Sequence, residues 1–423
     1  TIFFAFGATG LTDAFLLGVV VLGLLVQRKR FSRIDPGSSS WRGVQEVRPV
    51  PRELARVKEV LWGRWGGRAA IALVVGVLPF VLSSAHTNLA SVVLIYAMVG
   101  ISLVILTGWS GNISLGHWAI VGVGALVTQK LAAGSTPPDF FIILVVAGLC
   151  GAAVSLLIGL PALRIRGLFL GVTTLAFAIA ATNWIFQWDI LTTDQPILRP
   201  FLFGVIDTTG ERVFYYVSFA GLLFALYTAR NLRRSRWGRN LIAMRDNETQ
   251  AQALGMRLTI SRLGAFAVSG FIAALAGAIY AYNAQSIDYT RFVPITSLVM
   301  FSMVVLGGMG SLAGPVLGAI YVRGIQYFLP AELQLFATGF GLVLVLLVFP
   351  GGLGQIFYGL RDRYLRWAAE RRDIIVPSLF ADKLQADPVV ELAEAKALGV
   401  GEEAKARRKA KARVLAEVKG AAK

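Results

Sequence analysis

The stretch Trp237–Tyr282, WGRNLIAMRDNETQAQALGMRLTISRLGAFAVSGFIAALAGAIYAY, joins a polar segment directly to an apolar run. The run from Leu263 has about 20 residues, the length that crosses a hydrocarbon core as a helix. In the polar half, Asn247 has the character of a helix N-cap, with Gln250 three residues on as its capping-box partner. Gly255 stands where a helix over Glu248–Leu254 needs a left-handed residue in order to stop. Glu248 lies in the first turn, where the helix dipole favours an acid, and Ala251 and Leu254 make a small apolar face. A helix of about two turns is marginal alone in water, so it is held by a membrane domain behind it or by a partner in front. The segment from Asp246 to Gly255 therefore reads as a docking element.

The composition agrees with a chain built in lipid. Of 423 residues 56% are hydrophobic and 45 are glycine, values that a soluble single domain of this size does not show. The formal net charge is +17, which in a soluble chain points to nucleic acid; here the charges lie between apolar runs and in the tail, and no nucleic-acid partner is expected. A single cysteine, Cys150, excludes an intrachain disulfide and a multi-cysteine metal site. No charged n-region precedes the first apolar run, so no signal peptide is expected.

Windows of bilayer length give eleven spans, an all-α polytopic membrane protein with some helices short or broken. The first, Ile2–Val26, ends at Gln27-Arg28-Lys29-Arg30 and is followed by a polar linker and the sequence PRELARVKEVLWGRW, read as a helix on the membrane surface or a solvated linker helix. The others are Ala69–Ser84, Leu89–Leu106, Ile113–Leu131, Phe140–Leu163, Leu168–Ile185, Val213–Ala229, Leu263–Asn283, Ile295–Leu306, Ala313–Phe328 and Leu335–Phe349. Breaks are expected at Gly108–Asn112 and Gly307–Ser311, tolerable in a membrane only where protein or a cavity receives the open backbone. The resulting domains are 1–68, a transmembrane helix plus basic linker; 69–354, the membrane domain; and 355–423, a charged tail.

The basic residues test this count. With the C-terminus inside and the N-terminus outside, 36 of the 41 Lys and Arg residues fall on one side, in 27–68, 164–166, 230–262 and the tail after Pro350. Lys130, Arg199, Arg212 and Arg291 fall on the other, and Arg323 lies inside a span. An error of one span scatters this pattern. The connection from Phe186 to Arg212 reads as an external loop, either a rim for a partner or simply solvated. The tail reads as a solvated, partly helical or disordered extension whose basic clusters can touch anionic lipid.

The chemistry that the chain lacks is equally informative. No Asp or Glu lies in the middle of a span after the first, which disfavours proton- or sodium-coupled transport. No Gly-Lys dipeptide occurs, so the chain holds no P-loop and energy must come from another subunit or a gradient. Two histidines far apart, with no paired carboxylates, offer no catalytic or metal site. Asn112, Ser114, His117, Thr174 and Ser302 are candidates for a solute path or gate, although each Ser or Thr in a membrane helix more often bonds a neighbouring carbonyl. Arg323 can snorkel, pair, or attract an anionic group.

Four motifs carry a resemblance: LTGWSGNISLGHWAIVGVGAL (Leu106–Leu126), LPALRIRGLFLGVTTLAFA (Leu160–Ala178), MRDNETQAQALGM (Met244–Met256) with the following LAGAIYAY, and VLGGMGSLAGPVLGA (Val305–Ala319). Together, over about Ala69–Gly354, they resemble the permease subunit of branched-chain amino-acid ABC importers. The resemblance implies a bacterial inner-membrane permease that pairs with a second, related permease, two ATPase subunits that bind the ATP, and an external solute-binding protein, with no cofactor of its own. It also implies that Asp246, Asn247, Glu248, Gln250, Ala251, Leu254 and Gly255 form the helix that couples to an ATPase. Relatives that carry urea or short amides keep that substrate class open, and a stand-alone facilitator or channel is the reading from another class. The N-terminal extra, 1–68, departs from the family's pattern and is expected to be the end of a fused partner permease.

Overall fold

The computed structural model describes residues 57–133, 138–163, 167–188, 196–202, 206–349 and 351–371. The first predicted span, most of the linker after it and the tail beyond Arg371 lie outside the described residues. The chain divides into two compact units, one of residues 1–47 and 71–358, the other of 48–70 and 359–423. Within the second, Val60, Leu365, Ala368 and Ala369 form a small apolar core.

The elements are almost all helical, because in lipid a helix satisfies its own backbone within one segment. In chain order they are α1 (Lys58–Val81), α2 (Ser84–Leu103) continued by a π-helical turn (Val104–Trp109), α3 (His117–Ala132), α4 (Phe140–Ala162), α5 (Leu168–Asn183), α6 (Glu211–Arg234) and α7 (Arg236–Asp246). There follow α8 (Glu248–Ala253), α9 (Leu258–Ala284), α10 (Pro294–Gly307), α11 (Gly314–Phe328), α12 (Ala331–Val348) and α13 (Gly354–Arg371). Among the described residues the one extended feature is the antiparallel pair of β1 (Phe201–Leu202) and β2 (Ile206–Asp207).

Six helices among the described residues are long and apolar enough to cross a membrane: α1, α2 with its π turn, α4, α5, α6 and α9. The remaining spans read from sequence fall on α3, α10, α11 and α12. Two of the breaks that shorten these helices lie where glycine interrupts the apolar pattern: the chain leaves helical geometry at 110–116 and turns at Gly308 with φ +103°. The described end of the segment read as a surface or linker helix, from Lys58, runs on into the span after it as one helix, α1. Gly66 and Gly67 weaken a helix without stopping it, and Pro79 enters only near its end.

Helix α9 is the axis of the larger unit. Its face of Ala265, Ser269, Ala273, Ala276 and Ala281 is fully buried, and α2, α3, α4 and α6 pack around it. Small residues allow this approach: a Cβ at Gly277 strikes the Val121 carbonyl on α3, and one at Gly124 strikes Ala274 of α9. Ser155 of α4 donates to the Phe266 carbonyl of α9 at 2.7 Å. The periphery reverses the pattern. On α4, Ile142, Val145, Leu149, Leu157 and Leu160 face outward, an apolar surface that water does not tolerate and lipid tails do.

At the end of the bundle where α9 finishes, Arg199 is nearly fully buried. It forms an ion pair with Glu211 at 2.9 Å, donates to the Thr209 carbonyl at 3.0 Å, and lies 4.5 Å from the Phe214 ring centroid. Ile197 donates to Gln285 at 2.7 Å. The connection read as a rim or a solvated loop is therefore pinned at its described residues 196–202 and 206–211, because a guanidinium has enough donors to organise the backbone around it. At β2, the backbone and hydroxyl of Thr209 both donate to Asp207 and hold its carboxyl below the usual carboxylate range.

Substitution of Gly277 by Val is expected to destabilise the bundle by roughly 1–3 kcal/mol, the cost of overpacking a filled interface. Gly324→Ala, where an added Cβ meets open space, serves as the control. Thermal unfolding of the detergent-solubilised protein checks it: equal midpoints for the two variants would contradict the packing described.

Candidate functional site at the elbow

The polar segment between α6 and α9 is more structured than its composition suggests. Residues 236–246, expected to be loop, form α7. Ser235 caps it, accepting from the Gly238 N–H at 3.1 Å, and Leu241 and Met244, three residues apart, are buried. That spacing and the Ser four residues before the Arg239 turn are the signals that reveal the helix. Asn247 then ends α7 and begins α8. Its N–H donates to the Ala243 carbonyl at 3.0 Å, and its side chain accepts from the Gln250 N–H at 3.0 Å. The cap is the one expected from sequence, but the reciprocal half of the capping box is not made: the Asn247 N–H that Gln250 was to receive is already used by α7.

Helix α8 stops one residue earlier than expected, at Ala253, with Leu254 as its C-cap. Gly255 adopts φ +77°, its N–H donating to Gln252, while Met256 donates to Ala251. These two bonds form a Schellman motif, which consumes carbonyls that the short helix leaves open. The expected apolar pair parts company. Ala251 is 2% exposed and seated on the bundle, whereas Leu254 is 77% exposed. Leu254 thus stands out from the bundle at the end of a short capped helix. Asp246 is exposed as well, and Glu248 pairs with Arg262 of α9 at 2.8 Å, tying the elbow to the central helix.

Two arginines connect the elbow to the broken helices. Arg245, with a side chain 5% exposed, donates to the Gly108 carbonyl at 2.6 Å and pairs with Asp246 at 2.7 Å. Its stem packs on Gly111, which has φ +74°; a Cβ there would lie 3.1 Å from Arg245 Cγ. Arg233 reaches the Gly310 carbonyl at 3.4 Å. Each places positive charge at carbonyls that a broken helix leaves exposed, the end at which the helix dipole favours a cation. Neither role was visible in sequence, because the partner carbonyls lie more than 70 residues away along the chain.

The solute-path candidates divide. Asn112, Ser114, His117 and Thr174 are buried around the break between α2 and α3. Asn112 donates to Ser110 at 2.8 Å, and Thr174 accepts from the Leu115 N–H at 2.9 Å. His117 bonds Ser102 through Nε2 at 2.7 Å. Because Ser102 gives its own proton to the Val99 carbonyl at 2.6 Å, the ring must donate to it, leaving Nδ1 a buried acceptor without a partner. At the start of α3, Trp118 N–H donates to Ser297 at 3.2 Å and Ala119 N–H to Gly116 at 3.1 Å. Ser302 is half-buried on α10, and no hydrogen bond joins it to the other four. Among the described residues no group of three or more His, Cys, Asp or Glu side chains could hold a metal ion.

The fold and the elbow define a multi-pass helical membrane protein. Residues 85–349 match the model of the family described as branched-chain amino acid transport system / permease component, and the chain belongs to that family. It is 28% identical over 277 residues to the high-affinity branched-chain amino acid transport system permease protein LivM of Salmonella typhimurium, covering 59% of this chain and 65% of the relative. It is 29% identical over 281 residues to the autoinducer 2 import system permease protein LsrC of Photorhabdus luminescens, 62% of this chain and 79% of that one. The fructose import permease protein FruG of Bifidobacterium longum is 28% identical over 275 residues, 60% of this chain and 78% of its own. The chain thus spans slightly less than two thirds of the length of the Salmonella relative. No solved structure matches it.

Asn247→Ala is expected to loosen α8 by about 1 kcal/mol, the usual worth of an N-cap. Amide hydrogen exchange over 248–253 should rise while exchange in α9 stays unchanged; equal protection in variant and parent would show that the cap contributes nothing.

Proposed function

We propose that the chain is the permease subunit of an ATP-driven importer of branched-chain or other neutral amino acids. It supplies half of the passage beside a second, related permease. The observation that carries this reading is the elbow itself, rigidly capped, anchored through Ala251 and Glu248, and offering Leu254 to a partner. A pair of ATPase subunits is the partner, since the chain has no phosphate-binding loop and a permease of this family draws its energy from elsewhere. The protein spans a bacterial inner membrane eleven times, with the elbow and the C-terminal tail in the cytoplasm. The concentration of Lys and Arg in the segments on the elbow's side supports that orientation. An external solute-binding protein delivers the substrate at the opposite face, and no cofactor beyond the partners' ATP is required. The family's description supports the amino-acid class; the fructose and autoinducer 2 relatives support, as the second reading, a sugar or another solute without a carboxylate.

The mechanism that follows from the geometry is mechanical. When the ATPase pair closes, Leu254 and its helix move, and Arg245 carries the displacement to Gly108 at the foot of α2. Arg233 does the same for the Gly310 turn between α10 and α11. Both glycine-rich breaks give way more readily than a continuous helix does, so the bundle can alternate without unfolding any span.

Deletion of Asp246–Gly255, or the point change Leu254→Asp, is expected to abolish uptake and the co-purification of the ATPase while the chain remains inserted. Unimpaired transport in either variant would remove the mechanism, and would favour a facilitator that needs no ATPase. Arg245→Ala should behave differently. The ATPase stays bound and hydrolyses ATP, but uptake per ATP falls roughly tenfold, within the usual range of a coupling energy. An unchanged ratio of uptake to hydrolysis would show that the Gly108 contact transmits nothing.

A further inference from the structure

Arg323 lies in the interior of α11, five residues before its end, where a charged side chain is expensive unless it is engaged. Its guanidinium carbon lies 4.8 Å from the ring centroid of Tyr96, a buried residue of α2. Tyr96 in turn packs against Trp118 at the start of α3, with 5.2 Å between ring centroids, so the cation is drawn toward the junction of three helices. Gln326 accepts from one terminal nitrogen at 2.7 Å. The Nε–H is buried and has no hydrogen-bond partner. The helices α2, α10 and α11 contain no Asp or Glu, and among the described residues no carboxylate forms an ion pair with Arg323.

Arg323 is half-buried, and what sets it apart from three other arginines is the missing acid. Arg199, Arg245 and Arg262 are each neutralised by an acid of this chain. Arg323 has a π face beneath it, one amide beside it, and an unused donor on the edge that presents Nε. The Nε and terminal N–H groups of a guanidinium form a fork matched to the two oxygens of a carboxylate.

We propose that Arg323, with Tyr96 and Gln326 holding it in place, is the binding point for the carboxylate of the transported solute on its way through the membrane. The bond is temporary: the solute's carboxylate completes the charge that this chain leaves open, and releases it when the passage opens on the other side. This rests on the amino-acid reading given above and sharpens it. A neutral sugar has no group for such a fork, so the residue distinguishes a carboxylate-bearing substrate from the kinds named for the fructose relative.

The test uses the complete importer with its ATPases and solute-binding protein, reconstituted in vesicles and supplied with leucine. Arg323→Gln should lower leucine uptake about tenfold to a hundredfold, the worth of one or two charge-assisted hydrogen bonds. Stimulation of ATP hydrolysis by the leucine-loaded receptor should persist, and Arg323→Lys should recover part of the uptake. Wild-type uptake in Arg323→Gln would overturn the proposal. So would parallel loss of uptake and ATPase stimulation in both variants, the mark of a structural strut. A defect that vanishes in vesicles free of anionic lipid would also overturn it, by identifying a lipid headgroup as the occupant. If the unmodified importer moves fructose and not leucine, the substrate reading itself fails, a result separate from any effect of the substitutions.

Discussion

A carbonyl left open inside a bilayer has no water to turn to, and the build of this protein follows from how it answers that demand. Helices α2 and α10 are broken near the elbow by glycine-rich turns, and each break exposes backbone oxygen. Arg245 and Arg233 supply the missing donors at Gly108 and Gly310, from the polar segment and the foot of α6. The elbow is therefore part of the membrane domain's hydrogen-bond balance, and it cannot be displaced without disturbing the helices it completes.

Close packing gives the displacement something rigid to act on. Between apolar helices in lipid there is little hydrophobic drive, so association depends on how nearly backbones approach. The glycines of α3 and α9 bring those helices into backbone contact, and Ser155 adds a hydrogen bond between α4 and α9. The breaks at 110–116 and 308–313 lie at the ends of the tightly packed lengths. Stiff helices joined by glycine turns move as bodies and concentrate any bending at those turns.

Much of this was legible in the sequence, and the reasons differ from part to part. Membrane helices announce themselves by length and composition, so every later span coincides with a helix. Asn247 and Gly255 were legible because caps are local: the donors they satisfy lie within three residues. Helix α7 was hidden because its polar residues outnumber its two buried anchors, Leu241 and Met244. Arg199, Arg233 and Arg245 were hidden for another reason. Each is one basic residue among many in the sequence, and only the fold reveals a buried carbonyl or acid waiting beside it. The same holds just before and at the α3 start, where Thr174 and Ser297 from distant helices accept from the Leu115 and Trp118 N–H groups.

The arginines, compared with one another, separate structure from function. A buried guanidinium that serves the fold has its charge answered from within: Glu211 for Arg199, Asp246 for Arg245 and Glu248 for Arg262. Breaking such pairs is costly, and evolution gains nothing by leaving one incomplete where stability is the only demand. Arg323 has no such ion pair among the described residues, and the helices α2, α10 and α11 contain no Asp or Glu. Snorkelling would bring it to the far end of α11, yet it lies instead over Tyr96 among buried aromatics. A permanent internal counter-ion there would lower the energy of the resting protein, and would also close the position to any transient anion. An unmatched cation is thus the arrangement expected where a passing anion is to supply the matching charge.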